Sequence, residues 1–135
     1  MSGAVEIHAQ ITFLYYACIE PAASFFEGVV GLERVEDQGW AKIYRMGGHA
    51  YLGIVAGEKG FHQPQDKNAV LITLVVGDAG LWYKRLKEKG VKLLSELQHR
   101  EEIQIRCFFF EDPGGYTFEV QQFLNPRLAA LFAGA

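Results

Sequence analysis

One order of apolar patterns occurs twice in this chain, and that repeat narrows the available folds more than any single motif. "ITFLYYA", Ile11 to Ala17, is β-branched or aromatic throughout and predicts a strand. "EPAASFFEGVVG" follows, with Pro21 suited to a first helical turn and Gly31 to a stop. Phe25, Phe26, Val29 and Val30 fall on one helical face. "WAKIYRMGGHAYLGIV" then reads as a hairpin turning at Gly47-Gly48. The second half runs in the same order. "VLITLVV", Val70 to Val76, predicts a strand, and Asp78 caps a helix over "AGLWYKRLKEK" that ends at Lys89-Gly90. A closing hairpin spans about Gln104 to Phe123. Strand, helix, several strands, twice over, is an internal repeat of one supersecondary unit.

The expected architecture is α+β: two βαβββ modules forming a curled mixed sheet around a cleft, with the helices on the outer faces. Module one covers about residues 5–58, a polar Gly/Pro linker about 59–68, module two about 69–124 and a tail 125–135. At 135 residues, half of them hydrophobic, the whole is expected to be one domain with a real core. Net charge is −3, which offers no basic footprint for nucleic acid, and no apolar run approaches a membrane span. "MSGAVEIHAQ" lacks a basic stretch followed by an apolar one, so a cytoplasmic protein is expected, with Cys18 and Cys107 as reduced core thiols.

Turn length sets which side chains share a face. With Asp112 to Gly115 as the last loop, Phe110 pairs with Thr117, Phe108 with Glu119 and Arg106 with Gln121. Glu119 then sits on a mixed face with Arg106 diagonal to it, while Cys107, Phe109, Phe118 and Val120 lie under a helix. With Gly47-Gly48 as the first turn, Tyr44 meets Tyr51, Lys42 meets Gly53, and Trp40 meets Val55. Trp40, Lys42, Tyr44 and Tyr51 are thus expected on a mixed face, and Ala41, Ile43, Leu52 and Ile54 under a helix. Two such faces curled together make an aromatic cleft with a few charges, which suits a small molecule. His8, His49, His62 and His99 read as surface residues, none with metal-ligand spacing to another.

Two segments carry a family resemblance. "FFEGVVGLE" is similar to the Phe-Tyr-x-x-x-Leu-Gly-Leu helix end, and "EDPGGYTFEV" to the closing Asp-Pro-x-Gly-x-x-x-Glu motif, of the vicinal oxygen chelate superfamily. That superfamily contains glyoxalase I, extradiol dioxygenases and bleomycin-resistance proteins. The resemblance runs from about Ile11 to Phe123 and implies paired βαβββ modules and a homodimer. It also implies a divalent metal held by His or Glu at four strand positions. Here those positions fall on Ile11 (or Gln10), Gly53 (or Leu52), Leu71 and Glu119. Only Glu119 is a ligand type, and a catalytic metal needs at least three protein donors.

The expectation is therefore a binding protein that takes a small, partly aromatic, anionic or polar molecule without a catalytic metal or other cofactor. Its expected ligand contacts are Tyr15, Trp40, Lys42, Tyr44, Tyr51, Arg106, Phe108, Glu119 and Gln121. Lys42 and Arg106 are expected either to neutralise Glu119 or to present positive charge to the ligand. The alternative is a lyase or dioxygenase using Ni, Zn, Mn or Fe, with further ligands from loops. In a third reading Glu119 is a metal-free general base, which makes it the best catalytic candidate.

Overall fold

The computed structural model describes residues 5–133; the first four residues of the N-terminal stretch and the last two of the tail lie outside the described residues. The chain forms two compact units that divide between Pro64 and Gln65. The architecture is mixed α+β, as the repeat predicts.

In the first unit β1 (Gln10–Tyr16) leads into α1 (Glu20–Ser24), which continues into a π-helical segment, Phe25–Val30. Pro21 sits in the first helical turn, where its missing N–H costs nothing. Gly31 ends the segment in the left-handed region at φ 86°, which a side chain would oppose. Then come β2 (Glu33–Asp37), β3 (Ala41–Gly47) and β4 (Ala50–Ala56), and the sheet order is β1-β4-β3-β2 with β1 parallel to β4. Phe26 packs on Tyr44, which with Leu14, Tyr16, Leu52 and Ile54 is buried on the helix side of the sheet.

The second unit repeats the scheme. It comprises β5 (Leu71–Val75), α2 (Ala79–Glu88), β6 (Lys92–Leu93), β7 (Gln98–Arg100), β8 (Ile105–Glu111) and β9 (Thr117–Phe123). The order is β5-β9-β8-β6, with β7 also pairing β8. Asp78 caps α2 by accepting from the Leu81 N–H. Tyr83 of α2 meets Phe108 edge-on, and Phe110 stacks on Phe118 beneath the same helix. The tail forms α3 (Pro126–Ala133), capped by Asn125. No helix among the described residues is long and apolar enough to cross a membrane.

Both hairpins differ from the expected register, the first because of a bulge beside its turn and the last because of the length of its loop. The first turn is Gly48-His49, flanked by the Gly47–Ala50 pair. Moving a turn by one residue along both strands leaves the faces unchanged. However, Met46 bulges out of the ladder, and beyond it Tyr44 opposes Leu52, Lys42 opposes Ile54 and Ile43 opposes Gly53. In the last hairpin the Asp112 N–H donates to the Tyr116 carbonyl, and the loop is the odd-numbered Pro113–Gly115. Gly115 takes φ 88°, which completes a type I turn with a following left-handed residue. Glu119 therefore opposes Phe109, Phe108 opposes Val120, and Arg106 opposes Gln122.

A one-residue change of register exchanges the faces of one strand relative to its partner. Lys42, Tyr44, Arg106 and Phe108 consequently lie on the helix side rather than on the mixed faces where they were expected. Ala41, Ile43, Cys107 and Phe109 lie on the side away from the helix. Cys18 is exposed rather than part of the core, whereas Cys107 is buried; both are free thiols. The four histidines are exposed, and His99 belongs to β7 rather than to a loop.

Candidate functional site

The face of the first sheet turned away from α1 is built from alternate residues of three strands. Ile11, Phe13 and Tyr15 of β1 lie beside Tyr51, Gly53 and Val55 of β4, which in turn oppose Arg45, Ile43 and Ala41 of β3. On it lies a recess of 220 Å³ lined by Phe13, Tyr15, Trp40, Ile43, Lys59 and Phe61, among others. Trp40 and Phe13 are 43% and 41% exposed, so their rings are available to a bound molecule.

The rim of this recess is the segment after β4, which is folded back on the sheet. Gln63 Nε2 donates to the Gly57 carbonyl at 2.9 Å, joining the ends of the loop. Gly60 sits against Tyr15 so closely that a Cβ there would lie 2.6 Å from the ring. His62 meets Tyr15 edge-on, with centroids 5.4 Å apart, and Phe61 meets His62 in turn. Lys59, on the same loop, forms no ion pair with any described residue, and it is the cation that lines the recess. Sequence reasoning missed Lys59 and Phe61, and it reads Phe13 as a core or dimer-contact residue, whereas its ring is partly exposed. The "GEKGFH" segment is polar and glycine-rich, and its one signal was an aromatic residue inside a linker.

The expected residues of this unit therefore separate. Tyr15 and Trp40 line the recess. Tyr51 lies on the same face but is engaged by Arg45, whose Nη1 donates to its hydroxyl at 2.9 Å. Lys42 turns to the other side and pairs with Asp37 at 2.9 Å. The Gly39 N–H, Lys42 and Arg34 together hold the Asp37 carboxyl below its ordinary range. Tyr44 is fully buried and donates to Glu27 Oε2 at 2.7 Å; burial, then this carboxylate, pushes its phenol well above the ordinary tyrosine range.

In the second unit Glu119 is 7% exposed and is held by neutral donors. Thr73 Oγ1 donates to Oε1 at 2.9 Å, and Gln121 Nε2 to Oε2 at 3.3 Å. The Cys107 thiol also faces it. Burial raises the Cys107 pKa first, and the charge and hydrogen bond of Glu119 add to the rise, so the thiol stays protonated. Thr73 and Cys107 were not among the expected site residues; Cys107 follows from the corrected β8–β9 register, and Thr73 from the parallel pairing of β5 with β9. Arg106 lies at the start of α2, where a Cβ on Gly80 would sit 3.6 Å from its Nη2. Gln122, its cross-strand partner, accepts from the Ala79 N–H at 3.0 Å.

Residues 8–120 match the family model of the Glyoxalase/Bleomycin resistance protein/Dioxygenase superfamily. The chain belongs to that superfamily. No curated protein sequence matches it. Among solved structures, the superfamily member is similar to a glyoxalase/bleomycin resistance protein/dioxygenase from Nocardioides (TM-score 0.73, 14% identity, 93% of this chain and 88% of that one). It is also similar to lactoylglutathione lyase from Agrobacterium tumefaciens (TM-score 0.68, 16% identity, 90% and 94%). A third is TioX from Micromonospora sp. ML1 (TM-score 0.73, 15% identity, 86% and 98%). At such identities the likeness establishes the shared fold.

The metal implied by the superfamily resemblance can be tested against the donors this member presents. In the first unit Ile11 offers hydrocarbon, and the ring of Phe13 lies so close to the backbone of Gly53 that any side chain there would have to displace it. In the second unit Leu71 offers hydrocarbon, and Glu119 already accepts from a hydroxyl, an amide and a thiol. No group of three or more His, Cys, Asp or Glu among the described residues is placed to hold a metal ion. The four positions thus supply one carboxylate, Glu119, where a divalent cation asks for at least three protein donors.

Proposed function

We propose that this superfamily member is a binding protein for a small, partly aromatic molecule with an anionic or polar group, held on the open face of the first unit's sheet without a catalytic metal. The observation that carries the reading is the recess itself: aromatic rings from β1, Trp40 and the loop after β4, with Lys59 as the cation beside them. Concave, mainly apolar sites with a few polar groups are what small-molecule binding requires. Tyr15 and Trp40 keep the stacking role expected of them, and Lys59 takes the part expected of Lys42 and Arg106. The donor set described above supports the metal-free half of the reading. Glu119, buried among neutral donors, then acts in the structure of the second unit rather than on a ligand.

The test is fluorescence titration of protein purified without added metal, using aromatic carboxylates and their neutral amides. Binding is expected to quench Trp40 emission, to favour the carboxylates, and to weaken about tenfold in Lys59→Ala. Trp40→Phe should lose the quenching and retain the emission of Trp82. Stoichiometric binding of nickel, manganese, zinc or iron that is abolished by Glu119→Ala would overturn the reading in favour of a metal-dependent lyase or dioxygenase.

A further inference from the structure

We infer that Phe13 sets which ligands the recess accepts, and that Gly53 is the positioning residue that allows it to do so. The inference rests on the reading of the recess as a binding site. Phe13 and Gly53 are direct partners in the parallel β1–β4 ladder. The Cδ1–Cε1 edge of the Phe13 ring lies against the bare backbone of Gly53: a Cβ there would overlap both atoms and come within 3.2 Å of Cγ. The ring is therefore seated one methyl group deeper than any other residue at 53 would permit, and its other side lines the recess. An aromatic residue shielding a strand glycine is a known way to stabilise a sheet. Here the shield is also the wall of a cavity, so the depth of its seat fixes the space that remains.

That space defines a size class. An apolar cavity of about 150 Å³ holds one benzene ring. At 220 Å³ the recess has room for one ring with a carboxylate-sized substituent; its outer side is open, so Phe13 limits how deeply a larger, fused ring settles rather than whether it enters. With Lys59 as the lining cation, the selected class is a monocyclic aromatic anion. Adding a methyl group at position 53 lifts the Phe13 ring from its seat, and the open direction is the recess. Removing the ring deepens the recess instead.

The experiment compares benzoate with 2-naphthoate on the wild-type chain, Phe13→Ala, Gly53→Ala and the double variant, with thermal melts to confirm folding. The wild type is expected to prefer benzoate by about tenfold. Gly53→Ala should lose benzoate affinity by about tenfold, Phe13→Ala should reverse the preference, and the double variant should bind like Phe13→Ala. A purely stabilising role for the pair would move the melts and leave the ratio of the two affinities unchanged. Benzoate binding that is equal in the wild type and Gly53→Ala overturns the inference alone. Should Gly53→Ala not fold, an unreversed preference in Phe13→Ala overturns it. A wild type that binds neither acid overturns the reading of the recess, and the selection with it.

Discussion

Thr73 donates its hydroxyl hydrogen to Glu119 across the parallel ladder that makes these two residues direct partners on β5 and β9. The bond answers a carboxylate that sits in an otherwise apolar strand. Hydrogen bonds to a charged group contribute about 1.5–3 kcal/mol, and removing one partner leaves the other buried and unsatisfied. Thr73→Val keeps the shape and deletes the donor, so it should lower unfolding stability by about that amount. Thr73→Ser should recover most of it. Urea unfolding checks both, and an unchanged midpoint in Thr73→Val would remove Thr73 from this role.

Alkaline stability should depend on Tyr44. Its folded-state pKa is raised above the ordinary value of 10.0, with burial and then Glu27 as the causes. The unfolded phenol loses its proton near pH 10 while the folded one keeps it, so the contribution is complete below that pH and declines as pH rises above it. Tyr44→Phe should flatten this alkaline decline, at the cost of the bond to Glu27 at neutral pH. Denaturation midpoints from pH 8 to pH 11 would show the two curves converging; parallel curves would contradict the assignment.

The glycines of the last turn should not be equivalent. Gly115 has φ 88°, whereas Gly114 is not among the positive-φ residues. A left-handed residue with a Cβ costs about 1–2 kcal/mol. Gly115→Ala should therefore destabilise by about that amount and Gly114→Ala by less. Equal melting temperatures for the two variants would rule out the turn geometry described above.

The two thiols should label in sequence. Cys18 is exposed and Cys107 is 1% exposed; the hydrogen bond to Glu20 raises the pKa of the first, and burial, then Glu119, that of the second. Under native conditions a thiol reagent should modify one cysteine per chain, at Cys18, and reach Cys107 only with unfolding. Mass spectrometry of the labelled peptides decides it, and early labelling at Cys107 would mean that its strand opens locally.

The fold was legible because its signals are local and redundant. Pro21, Gly31, Asp78 and Gly90 mark helix ends by backbone chemistry that any context obeys, and the repeat of apolar runs gave the module order. Which face each side chain occupies was not legible. It turns on parity, and parity depends on a single residue: the bulge at Met46 in one hairpin and the recruitment of Tyr116 to the closing pair of the other. Nothing in "YRMGGH" marks Met46 as the bulged residue, and "DPGGY" admits an even or an odd loop. Tyr51, Glu119 and Gln121 therefore lie on the open faces as expected, whereas Lys42, Tyr44, Arg106 and Phe108 lie on the helix side. A ring on a strand such as Phe13 reads as core by default, and a lysine in a linker such as Lys59 carries no signal until the chain is folded.

The seat of Phe13 on Gly53 also constrains how this chain can change. A single substitution that places histidine or glutamate at position 53 meets the ring before it meets any ion, and loses stability without acquiring a ligand. Removing the ring first leaves a glycine in mid-strand with no shield. Each step is unfavourable by itself and sensible only after the other, so the two positions are expected to vary as a pair, and a lineage that carries both is held on one side of that barrier.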